Sequence, residues 1–132
     1  MIRKWDIVRL ILEKIEQNKI SEFIESGEVN SHVLLQDDAN AFLGHVEILL
    51  DAGIIKNCVV KRDANGDFCQ WDFRGVYISM QGHDLLDVLR DAKVWNMIKA
   101  NAKRAGVKLS WEFIKASIPL VLSKIASEYL VI

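Results

Sequence analysis

The chain has 132 residues, enough for one domain with an extension and for a core that buries roughly two thirds of the unfolded surface. Its 51% hydrophobic content argues against disorder, and its two cysteines are too few for a disulfide framework. The net charge of −1 hides an asymmetry: residues 1–54 hold 5 basic and 10 acidic side chains, residues 55–132 hold 12 and 8. Such a division reads as a nucleic-acid or membrane surface, or as solvated helix faces, or as acidic and basic halves that pair within or between chains.

No run approaches the ~18 apolar residues of a membrane span; the most apolar stretch, Ala116 to Ser123, is eight residues long. The start, MIRKWDIVRL, lacks the apolar region and small-residue site of a signal peptide. The expectation is a soluble, cytoplasmic protein.

Residues 3–17 read as an amphipathic helix. Trp5, Val8, Ile11, Leu12 and Ile15 recur at helical spacing, opposite Arg3, Lys4, Arg9, Glu13 and Glu16. Ile20 to Glu25 reads as a short helix or a turn. Val29 to Leu35 is β-like and predicts a short edge strand. Residues 38–52 read as a helix with Phe42, Val46, Leu49 and Leu50 in one stripe. Asp37 or Asp38 caps its start and Gly53 ends it.

Asn65-Gly66 is a strong hairpin signal. A two-residue turn there pairs Val60 with Trp71 and Arg62 with Cys69. Cys58, Val60, Cys69, Trp71 and Phe73 then share the core face, with Lys61, Gln70 and Asp72 on the other. The cysteines do not meet in this register and read as packing thiols.

Val76 to Met80 continues as strand. Ser79 caps a helix whose apolar side is Leu85, Leu86 and Leu89. Residues 92–104 carry a further helix, with Val94, Trp95, Ile98 and Ala102 against Lys99 and Lys103, ended by Gly106. Arg90 with Asp87 or Asp91 reads as a structural pair at the junction. Ser110 caps the last helix, and Pro119 inside it predicts a kink or a split.

The order helix, helix ending in glycine, hairpin, helix resembles a winged helix-turn-helix. HVEILLDAGII is similar to the end of many winged-helix recognition helices, and VYISMQGHDLLDVLRD to the strand-to-helix exit after the wing. A closer resemblance rests on GHDLLDVLRDAKVWNMIK followed by AGVKLSWEFIK. Gly82, His83, Leu86, Asp87, Arg90, Asp91, Val94 and Trp95 match the pattern of an uncharacterised bacterial and prophage family, domain of unknown function 2513. The resemblance is strongest from His45 to Ile114. It implies a mobile-element accessory protein and no particular activity.

The fold expected is therefore α+β and mostly α. A winged helix-turn-helix-like core with a β-hairpin wing occupies residues 1–91. A C-terminal helical extension occupies residues 92–132, packed on the core or used for dimerisation.

The chemistry is sparse. His45 and Glu47 form a His-x-Glu without the Pro-Cys-x-x-Cys partner of zinc deaminases. Cys58 and Cys69 lack zinc spacing. No Walker loop, dinucleotide fingerprint or nucleophile elbow is present. No catalytic, cofactor or metal residues are assigned, and the expectation is a non-enzymatic protein.

Between Asp37 and Ile55 there is no Lys or Arg, so the helix that would read bases cannot supply an arginine–guanine contact. Candidate nucleic-acid contacts are Lys56, Lys61, Arg62 and Arg74 on the wing, and Lys99, Lys103, Arg104 and Lys108 beyond it. Trp111, Ile114, Ile118, Leu122, Ile125 and Tyr129 form a stripe that is the candidate partner or homodimer surface. Two readings follow: a protein-interaction or accessory protein on a degenerate winged helix, or a DNA-binding regulator that contacts duplex through wing and basic C-terminal helices.

Overall fold

A computed structural model describes residues 4–36, 38 and 40–130, with the side chain of Leu130 left out. The chain is mostly helical with two small antiparallel sheets. It divides into two compact units, one ending at Leu86 and the other beginning at Asp87.

In the first unit, α1 spans Trp5–Glu16 and buries Ile7, Val8, Ile11, Leu12 and Ile15. Each such side chain contributes about 1.5–3 kcal/mol when removed from water. Helix α1 is the hub, packing against α4 (Ala41–Asp51), α2 (Ile20–Glu25) and β4 (Tyr77–Ile78). Asn18 leaves α1 at φ +58, a left-handed conformation that asparagine tolerates.

The expected edge strand at Val29–Leu35 does not form. Glu28–Ser31 is a helical turn, α3, and Val33–Leu35 is a 3₁₀ turn capped by the His32 ring, which accepts from the Leu34 N–H at 3.2 Å. The β-branched content there is outweighed by local capping bonds and by burial of Leu35.

Helix α4 starts later than expected. Asp38 Oδ1 accepts from the Asn40 N–H at 3.0 Å, and no side chain caps the first turn of α4. Asp37, the other expected cap, lies outside the described residues. Gly53, at φ +72, ends the helix as expected.

Strand β1 (Ile55–Lys56) pairs with β4, and β2 (Val59–Arg62) with β3 (Phe68–Asp72). The expected register holds from Val59↔Asp72 through Lys61↔Gln70. It then shifts, so that Arg62 faces Phe68 and not Cys69. The turn is longer than two residues: the Asp63 and Gly66 N–H groups bond the carbonyls of Asp67 and Asp63, with Gly66 at φ +84. This is a three-residue loop ending in a left-handed glycine, with a bulge that absorbs the extra residue.

The expected core face of the hairpin is only partly a core. Phe73 is buried and Val60 and Cys58 are half-buried, but Cys69 and Trp71 are exposed. The hairpin has one sheet layer and little above it to cover its tip. Cys69 is thus not a packing thiol.

Helix α5 (Met80–Arg90) follows β4 directly. Ser79 caps it as expected: its Oγ accepts from Gly82 N–H at 3.1 Å and donates to Ile54 O at 3.0 Å. Leu85, Leu86 and Leu89 are buried.

The second unit pairs α6 (Ala92–Ala105) with α7 (Trp111–Leu130). Asp91 Oδ1 accepts from Lys93 and Val94 N–H and caps α6. Gly106, at φ +68, ends it. Val94, Ile98 and Ala102 of α6 are buried, as are Ile114, Ser117 and Val121 of α7. Ser110 caps α7 through the Phe113 N–H. The helix runs unbroken through Pro119, so the split expected there does not occur. One missing backbone bond is outweighed by the packing of both halves on α6.

Candidate functional site

The helix that the sequence pattern likens to a winged-helix reader, α4, is committed internally. Ala41, Phe42, Gly44, His45, Val46 and Leu49 are buried, and Asp51 is its exposed residue. Glu47 receives a two-pronged bond from Arg62 of β2: Nε to Oε2 and Nη2 to Oε1, both at 3.0 Å. The same guanidinium lies 4.0 Å from the Phe68 ring centroid and donates through Nη1 to Gly66 O. The bonds to Glu47 push the guanidinium further into its charged form.

Arg74 is engaged in the same way. It forks onto Asp72, with Nη2–Oδ2 at 2.8 Å and Nε–Oδ1 at 3.0 Å. The guanidinium and the Arg74 N–H hold the Asp72 carboxyl down to about 2. Of the four expected wing cations, Lys56 and Lys61 are exposed, while Arg62 and Arg74 carry carboxylate partners.

The hairpin flanks two adjoining hollows. One, of about 340 Å³, is lined by Ser21, Ile24 and Glu25 of α2 and by the run Gln70 to Arg74. The other, of about 280 Å³, is lined by Ile24, Val29, Phe42, Leu43, Phe68 and Trp71, with Asn30 and Asn40 at its polar side. Ile24 and Trp71 belong to both. Trp71, expected in the core, is 42% exposed between them.

In the second unit, Lys99, Lys103, Arg104 and Lys108 are all exposed. Lys99 lies 5.8 Å from the Trp95 ring centroid, and Arg104 donates to Asn101 Oδ1. Of the candidate partner stripe on α7, Ile114 is fully buried and Trp111, Ile118 and Ile125 are half-buried. Leu122 and Tyr129 are exposed, and so is Leu120, which the stripe did not include. The pair Lys93–Glu128, at 3.7 Å, links α6 to α7. Arg90 bonds Asp87 at 3.2 Å, one of the two expected partners.

The titratable groups do not converge. His45 is fully buried, and its two ring nitrogens face Ala41 O at 2.6 Å and the Lys4 N–H at 2.9 Å. That geometry fixes the neutral tautomer with the proton on Nδ1, and it leaves no lone pair for a metal. Burial, with the Asp72 charge added, pushes the Cys58 thiol up to about 11. Among the described residues no group of three or more His, Cys, Asp or Glu side chains is placed to hold a metal ion.

Sequence reasoning missed Ile24 and misplaced Trp71. A large aromatic on a lone two-stranded hairpin, with no second layer of strands in the sequence, was the available signal.

The family model for "Hypothetical protein (DUF2513)" matches residues 2–108. A protein of Haemophilus influenzae named "Uncharacterized protein" is 28% identical over 124 residues, covering 94% of this chain and 98% of its own. No solved structure matches the chain. No helix among the described residues is long and apolar enough to cross a membrane.

Proposed function

The chain belongs to the family of hypothetical proteins DUF2513, and we propose that it acts by binding another protein, as a non-enzymatic accessory factor of a bacterial mobile element. In this reading the order α4, β1, hairpin, β4, α5 is a degenerate winged helix that has lost its reading surface.

The observation that carries the proposal is the commitment of α4. A recognition helix must present one face to the base edges of the major groove. Here most of α4 is buried, and Glu47 is taken by Arg62. The carboxylates Asp38 and Asp51 add repulsion for phosphate at its two ends. Exposed apolar groups lie elsewhere, among them Val33, Trp71, Tyr77 and Met80 in the first unit and Leu120, Leu122 and Tyr129 on α7.

Two measurements test it together. Binding to a mixed-sequence duplex is followed from about 50 to 200 mM salt, and cross-linked complexes are isolated from the host and weighed by light scattering. A stoichiometric protein complex with negligible duplex binding is the expected result. Tight duplex binding that collapses steeply with salt, with no protein complex, refutes the proposal. The same scattering experiment on the chain alone tests the homodimer expected through the α7 stripe, of which Leu122 and Tyr129 are exposed.

A second reading has one specific observation behind it. Lys99, Lys103, Arg104 and Lys108 are exposed on or just after one helix, and such a row can neutralise phosphates without base readout. Reversing Lys99 and Lys103 to Glu would then abolish duplex binding, and changes in α4 would leave it intact.

A further inference from the structure

We propose that the groove beside β3 takes an extended, basic segment of a partner protein as an added strand, with Trp71 dividing a site for an apolar anchor from a site for a lysine or arginine. The inference rests on the protein-binding reading above and gives it a place and a ligand chemistry.

Five consecutive residues, Gln70 to Arg74, line the larger hollow. Three of them, Gln70 to Asp72, belong to β3 and the other two follow it. Neighbours on a strand point to opposite faces, so a hollow that touches all three runs along the strand's edge. Strand β3 pairs with β2 on one side, and no described strand pairs with its other side. An open edge offers a row of backbone donors and acceptors to an incoming strand. Helix α2 forms the opposite wall through Ser21, Ile24 and Glu25, so the edge is a slot and not a flat border.

The two ends of the slot differ in chemistry. Beyond Trp71 the lining is Val29, Phe42, Leu43 and Phe68, with Asn30 and Asn40 at one side, which suits one large, mainly apolar side chain. On the near side the charges are Glu25, Asp72 and Arg74. Arg74 and Asp72 cancel in their fork, which leaves Glu25, exposed on α2, as the remaining charge. That end therefore favours a cation. Side chains on one face of an extended peptide repeat about every 7 Å, two residues apart. The fitting ligand carries an apolar residue and a basic residue at that spacing. Trp71, partly exposed, is the ridge between them, and tryptophan is among the residues enriched at binding hot spots.

The test uses the full chain and short synthetic peptides in which Phe or Leu lies two residues from Lys, Arg or Glu. Binding is read by fluorescence polarisation and by amide hydrogen exchange. Peptides with Lys or Arg should bind, those with Glu at least tenfold more weakly, and exchange should slow at residues 68–74. Trp71→Ala and, separately, Ile24→Arg should each weaken binding at least tenfold while melting stays near wild type.

Three results overturn the site: no peptide protecting residues 68–74 at millimolar concentration, equal binding of the Glu peptides, or binding indifferent to Trp71→Ala. A short thymidine strand that bound better than every peptide would overturn it too. The protein-binding reading fails separately, on the duplex and complex measurements above. A stoichiometric complex cross-linked only through α7 would keep that reading and remove this groove from it.

Discussion

Gly82 is a position where the fold leaves almost no room for a side chain, and Gly82→Ala is a sharp test of it. A Cβ built there would lie 2.3 Å from Ile54 O and 2.5 Å from Ile78 Cγ2. Ordinary contact needs more than 3 Å, so Ile54 or the start of α5 must move by most of an ångström. The Ile54 carbonyl cannot yield cheaply, because it accepts from both the Ser79 N–H at 2.9 Å and the Ser79 hydroxyl at 3.0 Å. Overpacking of this kind costs about 1–3 kcal/mol, and weakening two hydrogen bonds costs about 0.5–1.5 kcal/mol each. Against this, alanine is favoured over glycine in a helix by about 1 kcal/mol. The net loss is about 3 kcal/mol, or a melting temperature lower by about 10 °C for a domain of this size. Urea and thermal unfolding followed by circular dichroism measure it. The control is Gly27→Ala, where nothing lies within 4 Å and only the φ of +84 is strained; about 1 kcal/mol is expected there. A Gly82→Ala protein as stable as wild type, or less affected than Gly27→Ala, would refute the argument that the α5–β4 corner is built around a missing Cβ.

Three further outcomes follow from single groups. His45→Phe keeps a ring in the core but takes the acceptor from the Lys4 N–H and removes the ring's bond to the Ala41 carbonyl, which keeps its helical one. It should destabilise the fold by about 1–3 kcal/mol, and an unchanged urea midpoint would contradict the tautomer assigned. Cys58, with its thiol pushed up to about 11, is roughly one part in a thousand thiolate at pH 8, so Cys69 should alkylate first in a mass-spectrometric time course. Asp72, held down to about 2 by Arg74, favours the folded state above its ordinary value of 3.8, and the benefit is lost as pH falls towards 2. In Arg74→Ala the Asp72 carboxyl should titrate higher by carbon-13 NMR, short of its ordinary value because the residue 74 N–H still donates to it, and an unmoved titration would show that the fork is not the cause.

The legible parts of the sequence were those with strong local chemistry. The apolar spacing of α1 and α6, the glycines that end α4 and α6, and the Ser79 and Ser110 caps each act within one helical turn. The hairpin register was legible through Lys61↔Gln70 because one Asn-Gly pair pins it. It failed by one residue at the tip, since a three-residue loop with a left-handed glycine uses the same two residues as a two-residue turn. Val29 to Leu35 failed for another reason. Its β-branched residues are few, and Gly27 at φ +84 with the His32 cap commits the segment to helical turns. The site was less legible still. Trp71 and Ile24 are 47 positions apart in the sequence, and nothing local in either predicts that they line one slot.

The charge pattern of the hairpin repays one more step. Four cations on or beside a wing look like a phosphate clamp when counted along the chain. Counted in space, two of them sit in forks whose carboxylates come from α4 and from β3 itself. Both forks are exposed, so each adds little to stability; their effect is on what the hairpin can offer a ligand. Arg62 could reach a phosphate only by abandoning Glu47, leaving that carboxylate close to the incoming anion. Glu47 therefore acts twice against a nucleic acid, by occupying the cation and by repelling the ligand. The edge of β3 is untouched by this cancellation, because backbone donors and acceptors carry no net charge to be neutralised. With Arg62 and Arg74 paired to carboxylates and a strand edge beside an exposed tryptophan, the hairpin offers what the proposed extended chain would use and less of what a duplex would need.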